Sequence, residues 1–160
     1  MSIFVSVSLL LIQSLAVAFK SGKEMTNVVS EISYELEKGE TLGIVGESGS
    51  GKSVSSMAVM GLNRFSGGKI TAGKIIFDSP ILGKVDLVDL PEKDFRKIRG
   101  KEISMIFQEP MTALNPVLRC GDQVKEVLEI HTKLSAEVIE KKVLELFSLV
   151  KLPRPAQMIK

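Results

Sequence analysis

Residues 46–53 read Gly-Glu-Ser-Gly-Ser-Gly-Lys-Ser, a stretch that matches the pattern G-x-x-x-x-G-K-[ST] at every fixed position. A short apolar run from Thr41 to Val45 precedes it and is typical of a buried parallel strand. The following segment, Val54 to Leu62, contains no proline and is rich in good helix formers. A strand, a glycine loop and a helix in this order predict a phosphate-binding loop.

The residue types of this loop suit an anionic ligand. Gly46, Gly49 and Gly51 let the backbone curl so that successive N–H groups point inward, and the helix N-terminus adds its dipole. Lys52 can reach the β- and γ-phosphates of a nucleotide, and the Ser53 hydroxyl can ligate Mg²⁺. A glycine-rich surface turn is the alternative, but it does not explain a Lys-Ser pair at the start of a helix.

The composition narrows the class of protein. The chain has 160 residues, enough for one domain with a core, and its net charge of +2 predicts no nucleic-acid partner. It has no tryptophan and an aromatic content of 5%, which argues against a base-stacking surface. Cys120 is the single cysteine, so no intramolecular disulfide can form, and we predict that it is a partly buried apolar residue.

The first 19 residues contain no charged side chain and allow three interpretations. A signal peptide would carry basic residues before its apolar run, and a membrane span would need about 20 strongly apolar residues. Apolar residues here alternate with period two, as in Leu15, Val17 and Phe19, which favours a strand from about Leu10 to Phe19. The preceding residues are predicted to be a frayed extension, and a membrane anchor remains the alternative.

The remaining patterns predict an antiparallel start, then an α/β section, then helices. A turn around Gly22 and a turn at residues 38–40 flank a second strand, which is predicted at Val28–Leu36. Further strands are predicted at Thr71–Phe77, Val85–Leu90 and Ile103–Phe107, the last as a buried strand. Helices are predicted at Glu92–Arg99, at Asp122–His131 and after Ser135, the last with an apolar stripe of Ile139, Val143, Leu146 and Val150 that ends before Pro153 and Pro155.

A second informative stretch, residues 103–116, reads Ile-Ser-Met-Ile-Phe-Gln-Glu-Pro-Met-Thr-Ala-Leu-Asn-Pro. It closely resembles the Q-loop of ATP-binding cassette (ABC) transporter ATPases. Its particular residues are similar to those of the oligopeptide and dipeptide importer branch, which also includes nickel importers. Residues 39–54, around the phosphate loop, resemble the same branch. Both motifs occur in the expected order, and the resemblance extends from about Leu11 to the C-terminus.

The resemblance implies an α/β fold: a phosphate-loop NTPase core with an N-terminal antiparallel β subdomain and the start of a helical subdomain, truncated. It implies a frayed extension at residues 1–10 and the nucleotide-binding core with its β subdomain at residues 11–118. The beginning of the helical subdomain would occupy residues 119–160.

The resemblance also implies roles for individual residues, with ATP and Mg²⁺ as cofactors. The nucleotide would be held by Gly46, Glu47, Ser48, Gly49, Ser50, Gly51, Lys52, Ser53 and Val54. Ser53 and Gln108 would contact the metal, and Lys52 and Gln108 would serve catalysis, because a neutral carboxamide can ligate a cation or orient a water without titrating. Phe19 lies where an aromatic ring stacks on adenine in the family, and a core phenylalanine is the alternative.

Several motifs of the family have no counterpart in these 160 residues. The family continues with a signature loop, a second aspartate-bearing strand followed by a catalytic glutamate, and a late histidine. Phe65-Ser66-Gly67-Gly68-Lys69 imitates the signature but precedes Gln108, so we interpret it as a loop. Val85-Asp86-Leu87-Val88-Asp89 also precedes Gln108, and His131 is interpreted as a packing residue at a helix end. Residues 1–160 alone are therefore expected to bind Mg-ATP weakly, to hydrolyse it negligibly and to be marginally stable.

The leading functional hypothesis is an ATP-binding subunit of an ABC importer for peptides or similar small solutes. By resemblance it would be peripheral at the cytoplasmic face of the cell membrane, with a second ATP-binding subunit and the membrane subunits as partners. The first alternative is a nucleotide-binding fragment that does not hydrolyse ATP. The second is a phosphate-loop kinase, for which the basic segment from Lys93 to Lys101 offers cations, although its spacing is more typical of the solvated face of a short helix.

Overall fold

The computed structural model describes residues 8–22, 24–108 and 113–159. The chain divides into two compact units, one ending at Ser104 and the other beginning at Met105. The first unit contains a four-stranded antiparallel sheet of order β2-β1-β3-β4. Its elements are β1 (Leu10–Ser21), β2 (Glu24–Leu36), α1 (Lys52–Val59), a 3₁₀ helix (Asn63–Ser66), β3 (Gly68–Ser79), β4 (Gly83–Asp86) and α2 (Glu92–Ile98).

The predicted first strand is confirmed, because β1 contains all of Leu10–Phe19 and pairs with both β2 and β3. Residues 1–7, which the sequence assigns to a frayed extension, lie outside the described residues. Within the described part of the chain, no helix has the length and apolar character needed to cross a membrane.

A line of irregularities crosses the three longest strands. Ser14 in β1, Glu31 in β2 and Gly73 in β3 all have positive φ angles, of 45°, 52° and 92°, and the strand registers shift beside them. A bulge inserts one residue and therefore switches which residues face the core. In β2 the inward-facing residue Val29 is followed by Ile32, three positions later, instead of two.

The core of the first unit lies between this sheet and the helices α1 and α2. Its centre is made by residues from three strands and both helices, among them Ile12, Leu15, Val17, Val29, Ala58, Ile75, Phe95 and Ile98. Alternation of apolar residues in the strands and apolar spacing in the helices place these side chains on one side of each element.

Helix α2 is fastened to the end of α1 by one arginine. The Arg99 guanidinium donates from Nε to the Met60 carbonyl at 2.8 Å and from one terminal nitrogen to the Glu92 carboxylate at 2.6 Å. It lies 4.5 Å from the Phe95 ring centre, and the Arg64 guanidinium lies 4.8 Å from the same ring. The carbonyl that Arg99 reaches is at the C-terminus of α1, where a helix dipole favours a cation.

The second unit is a small helical assembly of α3 (Cys120–His131), α4 (Ala136–Leu149) and α5 (Pro155–Met158). Its core is formed by Ile139, Val143, Phe147 and Ile159, with Cys120, Val124 and Leu128 packed against it. Cys120 is partly buried, as predicted. His131 lies in the last turn of α3, at the helix end that the sequence indicates.

The predicted stripe of α4 is half correct. Ile139 and Val143 are buried, but Leu146 and Val150 are exposed and Phe147 is buried in their place. The buried set is spaced by four residues at each step, and the larger aromatic ring fills the position facing the other helices of the unit. Ser135 is the N-cap residue, and its side chain makes no capping hydrogen bond in the described structure.

Two predicted strands are wrong. Thr41–Val45 and Ile103–Phe107 form no strand with the described residues, apart from an isolated bridge between Ile103 and Arg99. Val45 and Ile106 are each 94% exposed. A parallel strand needs hydrogen-bonding neighbours in a sheet and covered faces. Among the described residues neither run joins the sheet, and Thr41–Val45 is exposed throughout, whereas Ile103 is partly buried against the core of the first unit. The predicted strand at Val85–Leu90 is shorter and earlier, as β4.

Replacement of Gly73 by alanine is expected to destabilise the first unit strongly. A Cβ on Gly73 would lie 2.5 Å from the carbonyl oxygens of both Gln13 and Ser14, which are backbone atoms of the neighbouring strand. We expect Gly73→Ala to lower the free energy of unfolding by about 3 kcal/mol or more, measured by urea denaturation. Gly83→Ala is the matched control, because Gly83 also has a positive φ but open space around it, and its cost should be about 1 kcal/mol. Equal losses in the two variants would contradict this explanation.

The Glu92 carboxylate should make stability depend on pH. The hydrogen bond from Arg99, reinforced by the nearby positive charges, lowers the pKa of Glu92 below its ordinary value. The stabilisation is therefore complete above the ordinary pKa of a glutamate, about 4.3, and is lost as the pH falls through the lower pKa of the folded state. Thermal melts should show wild type above Glu92→Gln at pH 7, with the difference shrinking below about pH 4.

Glu24→Gln, at an exposed position of β2, controls for the removal of one negative charge. A difference between wild type and Glu92→Gln that stays constant from pH 7 to pH 3 would refute a role for the Glu92 ion pairs.

Candidate phosphate-binding site

The loop of residues 46–51 is curled and leads directly into α1. Gly49 and Gly51 have φ angles of 82° and 87°, in the left-handed region that favours glycine. Gly46 lies close to the returning chain, because a Cβ built on it would be 2.8 Å from Ser50 Oγ. The loop glycines therefore have the conformational and steric roles for which the sequence pattern selects them.

Lys52 folds back over the loop. Its Nζ donates to the carbonyl oxygens of Gly46 and Glu47, each at 2.7 Å, and to Ser50 Oγ at 3.2 Å. One ammonium group thus holds the two ends of the loop together. The positive charge lies at the centre of the curl, beside the N-terminus of α1.

The N-terminus of α1 is open to an anion. Gly51 is its N-cap, so no side chain caps the first N–H groups, and the first turn contains no acidic residue. The Gly51 carbonyl accepts from the Ser55 N–H at 2.9 Å, which begins the helical hydrogen bonding. Free N–H groups at a helix N-terminus together with a lysine form a favourable site for phosphate oxygens.

Ser53 and Val54 occupy the first turn of α1. Ser53 is exposed, so its hydroxyl is accessible to a ligand, whereas Val54 is partly buried and packs against the core. Glu47, Ser48 and Ser50 are exposed loop residues. The donor set of hydroxyl, ammonium and backbone N–H groups fits a nucleotide phosphate with its Mg²⁺.

Phe19 lies near the end of β1, opposite Thr26 of β2 and Gly68 of β3. Its ring packs against the backbone of Gly68, since a Cβ there would lie 2.6 Å from the ring Cζ. The side chain is partly buried and contacts the core of the first unit. Core packing, the alternative considered for Phe19, is observed, and stacking on adenine stays a prediction.

Gln108 is an exposed residue of the second unit, at the end of a segment without regular secondary structure. Residues 109–112 of the predicted Q-loop lie outside the described residues. The imitation of the signature motif at residues 65–69 is the end of the 3₁₀ helix and the first residues of β3, so it does not open an α-helix.

The Tyr34–Ser55 contact was not predicted from the sequence. Tyr34, on β2, interacts with the hydroxyl of Ser55 in α1; burial raises the pKa of Tyr34, and the interaction with Ser55 offsets part of that rise. Ser55 is itself buried and donates to the Lys52 carbonyl at 2.7 Å. A serine two positions after the Lys-Ser pair was the available signal, but its partner on a distant strand was not visible in the sequence.

Comparison with known proteins agrees with this geometry. A profile described as "ABC transporter" matches residues 29–157, which is most of the chain. The chain belongs to the ABC transporter family. This membership confirms the resemblance found in the sequence and leaves the kinase alternative without support.

Relatives in this family include peptide transport proteins. The chain is 46% identical over 151 residues to the oligopeptide transport ATP-binding protein OppD of Bacillus subtilis, covering 94% of this chain and 41% of OppD. It is 46% identical over 149 residues to the dipeptide transport ATP-binding protein DppD of the same organism, covering 93% of this chain and 43% of DppD. The chain thus spans less than half the length of these relatives.

The fold is also found in solved structures. The dimeric post-hydrolysis state of the ATP-binding cassette MJ0796, bound to ADP and Pi, aligns with a TM-score of 0.73 at 25% identity. The alignment covers 91% of this chain and 58% of that cassette. The predicted fold class, an ABC ATPase core with an antiparallel β subdomain and the start of a helical part, is confirmed by this match.

Proposed function

We propose that this chain is the nucleotide-binding part of an ATP-binding subunit of an ABC importer for peptides or similar small solutes. The observation that carries the proposal is the curled loop at the uncapped start of α1, with Lys52 at its centre. The solute class comes from the OppD and DppD relatives, which are oligopeptide and dipeptide transport ATP-binding proteins.

In this proposal the phosphates of ATP lie against the N–H groups of residues 46–53, and Lys52 neutralises part of their charge. The Ser53 hydroxyl ligates Mg²⁺, and Gln108 supplies a carboxamide oxygen to the metal or orients the attacking water. Phe19 stacks on the adenine. In this proposal Lys52 and Gln108 serve the chemistry of phosphoryl transfer.

The proposed partners are the membrane subunits of the importer and a second ATP-binding subunit, with the protein peripheral at the cytoplasmic face of the membrane. The solved relative is a dimer bound to ADP and Pi, which supports pairing of two ATP-binding subunits. The Q-loop after Gln108 would link the state of the nucleotide to the membrane subunits. The same proposal assigns residues 11–118 to the nucleotide-binding core with its β subdomain and residues 119–160 to the beginning of the helical subdomain.

The second candidate is nucleotide binding without turnover by residues 1–160. The specific observation is that these residues contain no counterpart of the catalytic glutamate or of the signature loop. Without a carboxylate to polarise the water, ATP would be held in place and not hydrolysed at an appreciable rate.

Lys52→Ala tests the binding site. Calorimetric titration of residues 1–160 with Mg-ATP should give measurable binding, and Lys52→Ala should weaken it by about tenfold or more because one positive charge at the phosphates is lost. Lys69→Ala, which removes a lysine of β3 outside the loop, is the control. Failure of the wild type to bind Mg-ATP would refute the proposed function. Rapid phosphate release that depends on Lys52 would instead refute the non-hydrolysing candidate.

Gln108→Ala tests the metal role. We expect it to leave binding of ATP in EDTA unchanged and to reduce, by about threefold or more, the gain in affinity that Mg²⁺ gives. Gln157→Ala, an exposed glutamine of α5, is the matched control in the same unit. An unchanged Mg²⁺ dependence in Gln108→Ala would remove Gln108 from the metal site.

A further inference from the structure

Strand β2 touches the phosphate loop at its last glycine. A Cβ built on Gly51 would lie 2.8 Å from the Val28 carbonyl oxygen and 2.8 Å from Val29 Cγ2. Val29 is 4% exposed and belongs to the core of the first unit, so it cannot move away without disturbing that core. Gly51 therefore packs against a part of β2 that is held in place by the core.

This contact fixes the C-terminal end of the loop, which is the end where an anion would bind. Gly51 is the N-cap of α1, and its neighbour Lys52 is the first helical residue. By contrast, residues 41–50 are exposed and form no strand with the described part of the sheet. Among the described residues, the nearest neighbours of Gly51 outside its own loop and helix thus come from β2.

Tyr34 gives a second contact between the same two elements, through Ser55 of α1. Val29 and Tyr34 are five positions apart, an odd separation that puts residues on opposite faces of a regular strand. The irregularity at Glu31, with a φ angle of 52°, returns both side chains to the face that meets α1. Val28 and Val29 thus lie against Gly51 and Tyr34 lies beside Ser55, so residues on both sides of the irregularity face the start of α1.

We infer that Val29 is a positioning residue for the phosphate loop: its side chain and the Val28 carbonyl set the angle at which the N-terminus of α1 meets phosphate. The inference rests on the proposed function, because it concerns the same site. If this is so, substitution of this core valine, which lies on a separate strand, weakens phosphate binding more than the accompanying loss of stability accounts for.

The test compares Val29 with Val17, its cross-strand neighbour on β1. Val17 is equally buried in the same core, while the nearest neighbours of Gly51 come from β2. Binding of tripolyphosphate, which lacks the base and ribose, and of Mg-ATP is measured by calorimetry at a temperature where circular dichroism shows each variant folded. We expect Val29→Ala to weaken binding of both by about tenfold and Val17→Ala by less than about twofold, at similar losses of melting temperature.

Two further variants separate position from stability. Val29→Thr keeps the shape at Gly51 but buries a hydroxyl, so it should lower the melting temperature and leave affinity within about twofold of wild type. Val29→Ile adds a methyl group where Gly51 leaves no space, so it should weaken tripolyphosphate binding by about fivefold or more, whereas Val17→Ile should not. The isoleucine pair decides the question if Val29→Ala does not fold.

The outcomes distinguish this inference from the function on which it rests. Wild type that binds neither ATP nor tripolyphosphate overturns both. Wild type that binds, with equal affinity losses for the matched Val29 and Val17 variants, overturns the positioning role alone. Affinity losses that follow melting temperature across all variants, Val29→Thr included, also overturn it.

Discussion

The close approach of Gly51 to the backbone of β2 is the constraint on which the candidate site depends. It requires a residue without a side chain at a φ angle of 87°, and it places the start of α1 directly against the sheet. The bulges across the sheet belong to the same arrangement, since the shift at Glu31 brings Val29 and Tyr34 to one face. The antiparallel sheet thus packs directly against the start of the helix at the candidate site.

Local patterns in the sequence were sufficient for much of this architecture. Period-two alternation identifies β1, and the Gly-Lys-Ser ending of the loop identifies the start of α1, because both signals depend on neighbouring residues only. The bulges were not predictable in this way. A positive φ at Ser14 or Glu31 results from pairing between strands, and neither residue type predicts it.

The two misassigned strands show a different limit. The apolar runs at Thr41–Val45 and Ile103–Phe107 have the composition of buried parallel strands. Composition alone, however, indicates only that the apolar side chains of such a run should be buried by other residues. Pairing depends on neighbours, and the described residues provide none for Thr41–Val45 and only the isolated bridge to Arg99 for Ile103–Phe107. Arg99 illustrates the same limit for side chains, because its sequence context suggested a solvated helix face, whereas it reaches the Met60 carbonyl and packs on Phe95.

The hydrogen bonds of Lys52 bear on how the loop would recognise an anion. An ammonium group has three N–H donors, and Gly46, Glu47 and Ser50 accept all three. A phosphate oxygen that bonds to Nζ must therefore share or replace one acceptor, and the Ser50 contact is the longest of the three, at 3.2 Å. The two carbonyl contacts can persist and keep the loop curled while the charge acts on the phosphate. In the proposed site, direct hydrogen bonds to the anion would come chiefly from the N–H groups at the start of α1, next to the contact of Gly51 with β2.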